Sequence, residues 1–133
     1  YTGKHIISLR LTGFKQQLLN LALVLVDLLN EKSIGRECPE AKDEKGGGIS
    51  KLECFLKHYS YPHVERDISV LRTVQSMRSR IAAHASGAAE KNLDEQLDGK
   101  TTQEYFVLLL EKVVTMLDSL IAFAVDKAEQ PKT

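Results

Sequence analysis

The chain has 133 residues, 43% of them apolar and 27% charged, enough for one hydrophobic core and too apolar for a disordered segment. Its 18 basic and 18 acidic residues cancel, so it has no general attraction for nucleic acid, and any grip on phosphate must come from a local cluster. Two cysteines, Cys38 and Cys54, are too few for a disulfide scaffold, and no apolar run exceeds six residues, as in 21–26, far too short to span a bilayer.

These bounds lead to the expectation of a cytoplasmic domain with no membrane partner. The chain opens on Tyr1. It is therefore expected to be a piece of a longer protein, with other domains of that protein among its partners.

In chain order, Ile7, Leu11, Phe14, Leu18, Leu21, Leu25 and Leu28 recur at alternating spacings of four and three, the seam of a long helix. Leu19, Ala22, Leu23, Val24, Val26 and Leu29 make its second half apolar on most sides. A helix of that kind is either central in a bundle or shared with a second subunit. Gly13 is its weak point, costing about 1 kcal/mol against alanine in a helix interior. Residues 31–48 carry Pro39, a charged run and three consecutive glycines, and read as a loop. The glycines make no phosphate-binding loop, because neither a preceding strand nor a closing Lys-Ser/Thr is present.

Ser50-Lys51-Leu52-Glu53 has the form of a capping box opening a short helix that ends near Tyr59. Pro62 suits the first turn of a third helix, with Glu65 and Asp67 as first-turn acids. Val64, Ile68, Leu71, Val74, Met77, Ile81 and Ala85 form its core face, and Gly87 its stop. After a polar stretch, Thr101-Thr102-Gln103-Glu104 forms a second capping box. A last helix carries Tyr105, Leu109, Val113, Met116, Leu120 and Phe123 along one side and frays after Val125. No strand and no internal repeat is legible. The fold class expected is all-α, a four- or five-helix up-and-down bundle.

The third helix ends in the run L-R-T-V-Q-S-M-R-S-R-I-A-A-H-A-S-G, residues 71–87, which gathers Arg78, Arg80 and His84 within seven residues. At 100° per residue, Arg78 and His84 lie about 60° to either side of Ile81 at the centre of the core stripe. Arg80 lies further out. Guanidinium groups supply donors for phosphate oxygens, and an imidazole can move a proton near neutral pH. Basic residues also suit the last turns of a helix for dipole reasons alone.

This run resembles the signature of HEPN domains, in which an R-x(4–6)-H motif lies toward the end of the third helix of a helical bundle. Arg78 and His84 are separated by five residues, and the R-S-R-x-x-A-H form is similar to a variant found in bacterial and phage-defence proteins. Here Ser79 follows the arginine and Ala85 the histidine.

The resemblance implies a metal-independent endoribonuclease of a defence or toxin–antitoxin system, without a cofactor. His84 would transfer the proton, Arg78 would steady charge on the phosphorane, and Arg80 would contact phosphate. It also implies RNA as a partner and pairing as a homodimer. Two alternatives stay open: an inactive HEPN-like RNA- or nucleotide-binding or dimerisation module, and an unrelated helical interaction bundle. A zinc site from Cys38, Cys54, His58 and His63 is a further candidate, since Cys54 and His58 are four apart on a helix. It is set aside because no C-x(2–4)-C knuckle exists, leaving no metal in the expected site.

Overall fold

A computed structural model describes residues 3–27, 29–42, 44–83 and 97–129. The chain is an all-α helical bundle, with no strand among the described residues. Its helices are α1 (Gly3–Ala22), α2 (Glu31–Glu37), α3 (Pro39–Lys42), α4 (Gly48–His58), α5 (Val64–Ala83) and α6 (Thr102–Glu129), with a π-helical turn over Leu23–Asp27.

Two compact units divide the chain, one formed by Tyr1–Leu28 with Leu71–Leu109, the other by Leu29–Val70 with Leu110–Thr133. Helices α5 and α6 therefore each contribute to both.

In the first unit, Phe14 and Leu18 of α1 are buried, as their seam requires, and the Phe14 ring meets Tyr105 and Phe106 edge-on at 6.2 Å. The seam then shifts. Ala22, Leu25 and Val26 are buried while Leu21 is half-buried, and Leu23 and Val24 stand exposed. The π-helical turn accounts for this, because its wider turn advances the buried face beyond the heptad line. Leu71, Val74 and Met77 of α5 and Leu109 of α6 complete the described core of this unit, with Leu97 ahead of α6. Asp98 and Gly99 both take positive φ, and Lys100 N–H closes the turn on the Leu97 carbonyl at 3.1 Å. Thr101 then caps α6, its hydroxyl accepting from Glu104 N–H at 3.1 Å, as the second capping box requires. Helix α6 runs on to Glu129, past the expected fraying point.

The second unit corrects the reading of residues 31–48 as a loop. Asn30 caps α2, its side chain accepting from Ser33 N–H at 3.0 Å, and α3 follows directly after Cys38. Gly35, Cys38 and Ala41 are buried and three residues apart, so the packed face of these two helices is made of small residues. A Cβ at Gly35 would stand 3.2 Å from the Lys42 Cβ, which shows how closely the two helices approach. Helix α4 opens two residues earlier than its apparent capping box. Gly47 is the N-cap, with no side-chain cap bond, and Ser50 lies within the first turn.

The C-terminus of α4 is a Schellman turn. Tyr61 N–H bonds to Leu56 O at 2.9 Å and Ser60 N–H to Lys57 O at 3.1 Å, with Ser60 at φ 58°. Helix α5 begins at Val64, beyond Pro62, and buries Val64, Ile68 and Val70. Val113 and Met116 of α6 are also buried in this unit.

Candidate functional site

Helix α5 carries Arg78 and Arg80 in its final third. Val74 and Met77 are fully buried, Arg78 is half-buried beside them, and Ser79 and Arg80 are exposed. That order follows from 100° per residue: Arg78 borders the apolar stripe and Arg80 stands outside it. Both arginines take part in interactions with neighbouring groups. His84, the third member of the motif, lies outside the described residues, as does Gly87.

The second unit holds a cleft that the sequence did not announce and a side-chain cluster that it announced only in part. The first is a cleft of about 500 Å³ lined by Glu31, Lys32, Gly35 and Arg36 of α2, Lys42 of α3 and Lys51 of α4. Four cations against one carboxylate make it a local basic cluster in a chain of zero net charge. Helix formation by residues 31–42 creates it, since i, i+4 spacing puts Lys32 and Arg36 on one side of α2. The Lys51 ammonium donates to the carbonyls of Glu44 at 3.1 Å and Lys42 at 3.5 Å, tying α4 to the end of α3.

The second feature is a cluster of Cys38, Glu40 and His58, whose ligand-type atoms all lie within 4.8 Å of one another. Glu40 Oε2 is 3.5 Å from His58 Nδ1. Burial, together with Cys38, Glu40 and Glu44 nearby, pushes the pKa of Cys54 up. Of the four residues considered from sequence, Cys38 and His58 fall in this cluster; Cys54, one turn before His58 on α4, is not in it. Nor is His63, its ring lying edge-on to Tyr61 at 5.8 Å. Glu40 takes its place. The signal was present as C-x-E in residues 38–40 and C-x-x-x-H in residues 54–58, but only two short helices meeting α4 unite them.

A buried polar network adjoins the start of α5. Asp67 is the one charged side chain buried among the described residues. It accepts hydrogen bonds from the Tyr61 hydroxyl and from Arg66 Nε, the latter at 2.9 Å. Arg66 Nη2 continues to Ser119 Oγ of α6 at 2.8 Å, and the Tyr61 ring packs on Phe123 at 5.0 Å. Burial and the Asp67 carboxylate push the Tyr61 pKa up; the same carboxylate raises that of Arg66. All its members are partnered, so the network reads as a structural pin.

Among the described residues, no helix is long and apolar enough to cross a membrane. Comparison of the chain with protein-family models, with curated proteins and with solved structures finds no match.

Proposed function

We propose that the chain is a HEPN-like domain acting on RNA, an endoribonuclease unit of a defence or toxin–antitoxin system in which Arg78 and His84 work on the phosphate. The observation that carries the reading is Arg78, at the rim of the buried stripe near the end of a 20-residue helix in an all-α chain, in a sequence that reads R-x(5)-H. In this reading the ribose 2′-hydroxyl attacks the adjacent phosphorus and the 5′-oxygen leaves. His84 serves as the proton-transfer group, and Arg78 holds the charge that builds on the phosphorane oxygens. Arg80, exposed on α5, contacts a neighbouring phosphate.

The basic cleft of Lys32, Arg36, Lys42 and Lys51 supports RNA as the ligand, because it supplies the local cation cluster that a neutral chain needs for backbone contact. It equally favours the second reading, an inactive HEPN-like module that binds RNA without cutting it.

Pairing of two copies is part of the proposal. Val107, Val114 and Ile121 of α6 are exposed at every seventh position, with exposed Leu117 between the last two. β-Branched residues alternating with leucine at this spacing favour a two-stranded parallel coiled coil, which makes a second copy of the chain the occupant of that face. Glu111 and Asp118 flank the seam, and antiparallel pairing of two copies would set these acids against each other.

The test is incubation of RNA with the wild-type chain and with His84→Ala, in buffer free of divalent cations. Loss of RNA that the substitution abolishes supports catalysis. Salt-sensitive RNA binding without cleavage, weakened by Lys32→Glu with Arg36→Glu, supports the binding module instead.

A further inference from the structure

Helices α2 and α3 have seven and four residues, well below the length at which a helix is stable by itself in water. Across these helices and Cys38 between them, only Gly35, Cys38 and Ala41 are buried, with Ile34 half-buried, so burial contributes little to holding them on α4. Small elements with thin cores are commonly fastened by a disulfide or a metal ion. The residues at this junction are of the type that does so.

We propose that the Cys38, Glu40 and His58 cluster, joined on binding by Cys54 from the preceding turn of α4, forms a structural zinc site that clamps α2 and α3 onto α4. The donor set is two sulfurs, one imidazole and one carboxylate, and thiolate with imidazole selects zinc among the common divalent ions. The spacing suits a tetrahedral ion: neighbouring ligand atoms around zinc stand about 3.3–3.8 Å apart. Glu40 Oε2 and His58 Nδ1 are already 3.5 Å apart, and all three atoms of the Cys38–Glu40–His58 set fall within 4.8 Å. Cys54 and His58 are four apart on α4 and so present two ligands from one face, while Cys38 and Glu40 come from the α2–α3 junction. The ligand set thus draws equally on the two sides that need joining.

Its surroundings are built for the purpose. Cys38 is fully buried at the C-cap of α2, its N–H held by Ile34 O at 2.9 Å. The Tyr59 hydroxyl donates to Glu37 O at 3.1 Å, a second tie between α4 and the end of α2. The His58 and Glu40 side chains keep 41% and 71% of their surface exposed, which gives an ion a path from solvent. Binding converts two thiols to thiolates and releases two protons to solvent. With four protein ligands the site is closed, so its role is structural and not catalytic. The same three helices line the basic cleft, and the ion would hold the walls of that cleft in place.

The reduced full chain, stripped of metal and titrated with Co²⁺, tests the assignment. The expected result is saturation at one ion per chain, with a thiolate-to-cobalt charge-transfer band and the visible bands of tetrahedral cobalt, both bleached by added Zn²⁺. Cys38→Ser and Cys54→Ser each diminish the charge-transfer band. Glu40→Gln and His58→Gln alter surface side chains and leave the core intact. Each is expected to weaken binding by at least about tenfold, the loss that follows even removal of an outer partner of a metal ligand.

Absence of the charge-transfer band in the reduced chain overturns the proposal. So does uptake of octahedral cobalt only, or a spectrum that Cys38→Ser leaves unchanged. The inference does not rest on the RNA reading: a chain that takes up cobalt but leaves RNA intact upholds one and refutes the other.

Discussion

Two donors reach the buried Asp67 carboxylate, the Tyr61 hydroxyl and the Arg66 guanidinium, and both are needed to offset its removal from water. Tyr61→Phe removes one donor and is expected to cost about 1–3 kcal/mol in urea unfolding, the range for leaving a buried polar group short of a partner. The effect has a pH signature. The folded chain holds the Tyr61 proton above the tyrosine's ordinary pKa near 10, while the unfolded chain releases it. Between the ordinary and the raised value the folded state binds more protons, so stability falls as pH rises through that window. Below about pH 10 this contribution is fully present. Comparison of unfolding midpoints at about pH 9 and about pH 11 is expected to show a steeper alkaline loss in wild type than in Tyr61→Phe. Equal slopes would place the Tyr61 hydroxyl outside the network.

At the scale of elements, the long periodic helices and α4 were legible, and the two shortest helices, α2 and α3, were not. Phe14 and Leu18, or Val74 and Met77, announce α1 and α5 because their apolar period is sustained over many turns. Helices α2 and α3 bury Gly35, Cys38 and Ala41, residues too small to raise the local hydropathy, and they lie beside Pro39 and a charged run. That is why the segment reads as a loop and why Glu40 is missed as the neighbour of Cys38 and His58. Asp67 illustrates another limit: a first-turn acid looks like a dipole partner until the fold puts Tyr61 over it.

Gly13 was legible as a defect. It is exposed within α1, and an added Cβ would meet nothing within 4 Å. Gly13→Ala is expected to stabilise the chain by about 1 kcal/mol, read as a raised midpoint of thermal or urea unfolding. The exposed face of α6 makes the complementary prediction. Leu117→Glu with Ile121→Glu is expected to convert a dimer to a monomer in light scattering while helical content by circular dichroism is kept. A wild-type chain that is already monomeric at high concentration would contradict pairing through this face.

Across the whole molecule, the reading joins three features of different origin. In the proposed function Arg78 of α5 with His84 would supply the chemistry, the basic cleft a surface for the RNA backbone, and the α6 seam a means of pairing. The all-α class and the place of Arg78 on its helix could be argued from periodicity alone. The cleft could not, because its four cations come from three helices, two of which carry no periodic signal. The central claim is that Arg78 and His84 direct the ribose 2′-hydroxyl onto the adjacent phosphate. The most direct test is the end chemistry of RNA fragments made by the purified full chain. 2′,3′-Cyclic phosphate and 5′-hydroxyl ends are expected, formed without added divalent cations and absent with His84→Ala or Arg78→Ala. Fragments ending in 3′-hydroxyl and 5′-phosphate, or the same cleavage in both variants, would contradict the claim.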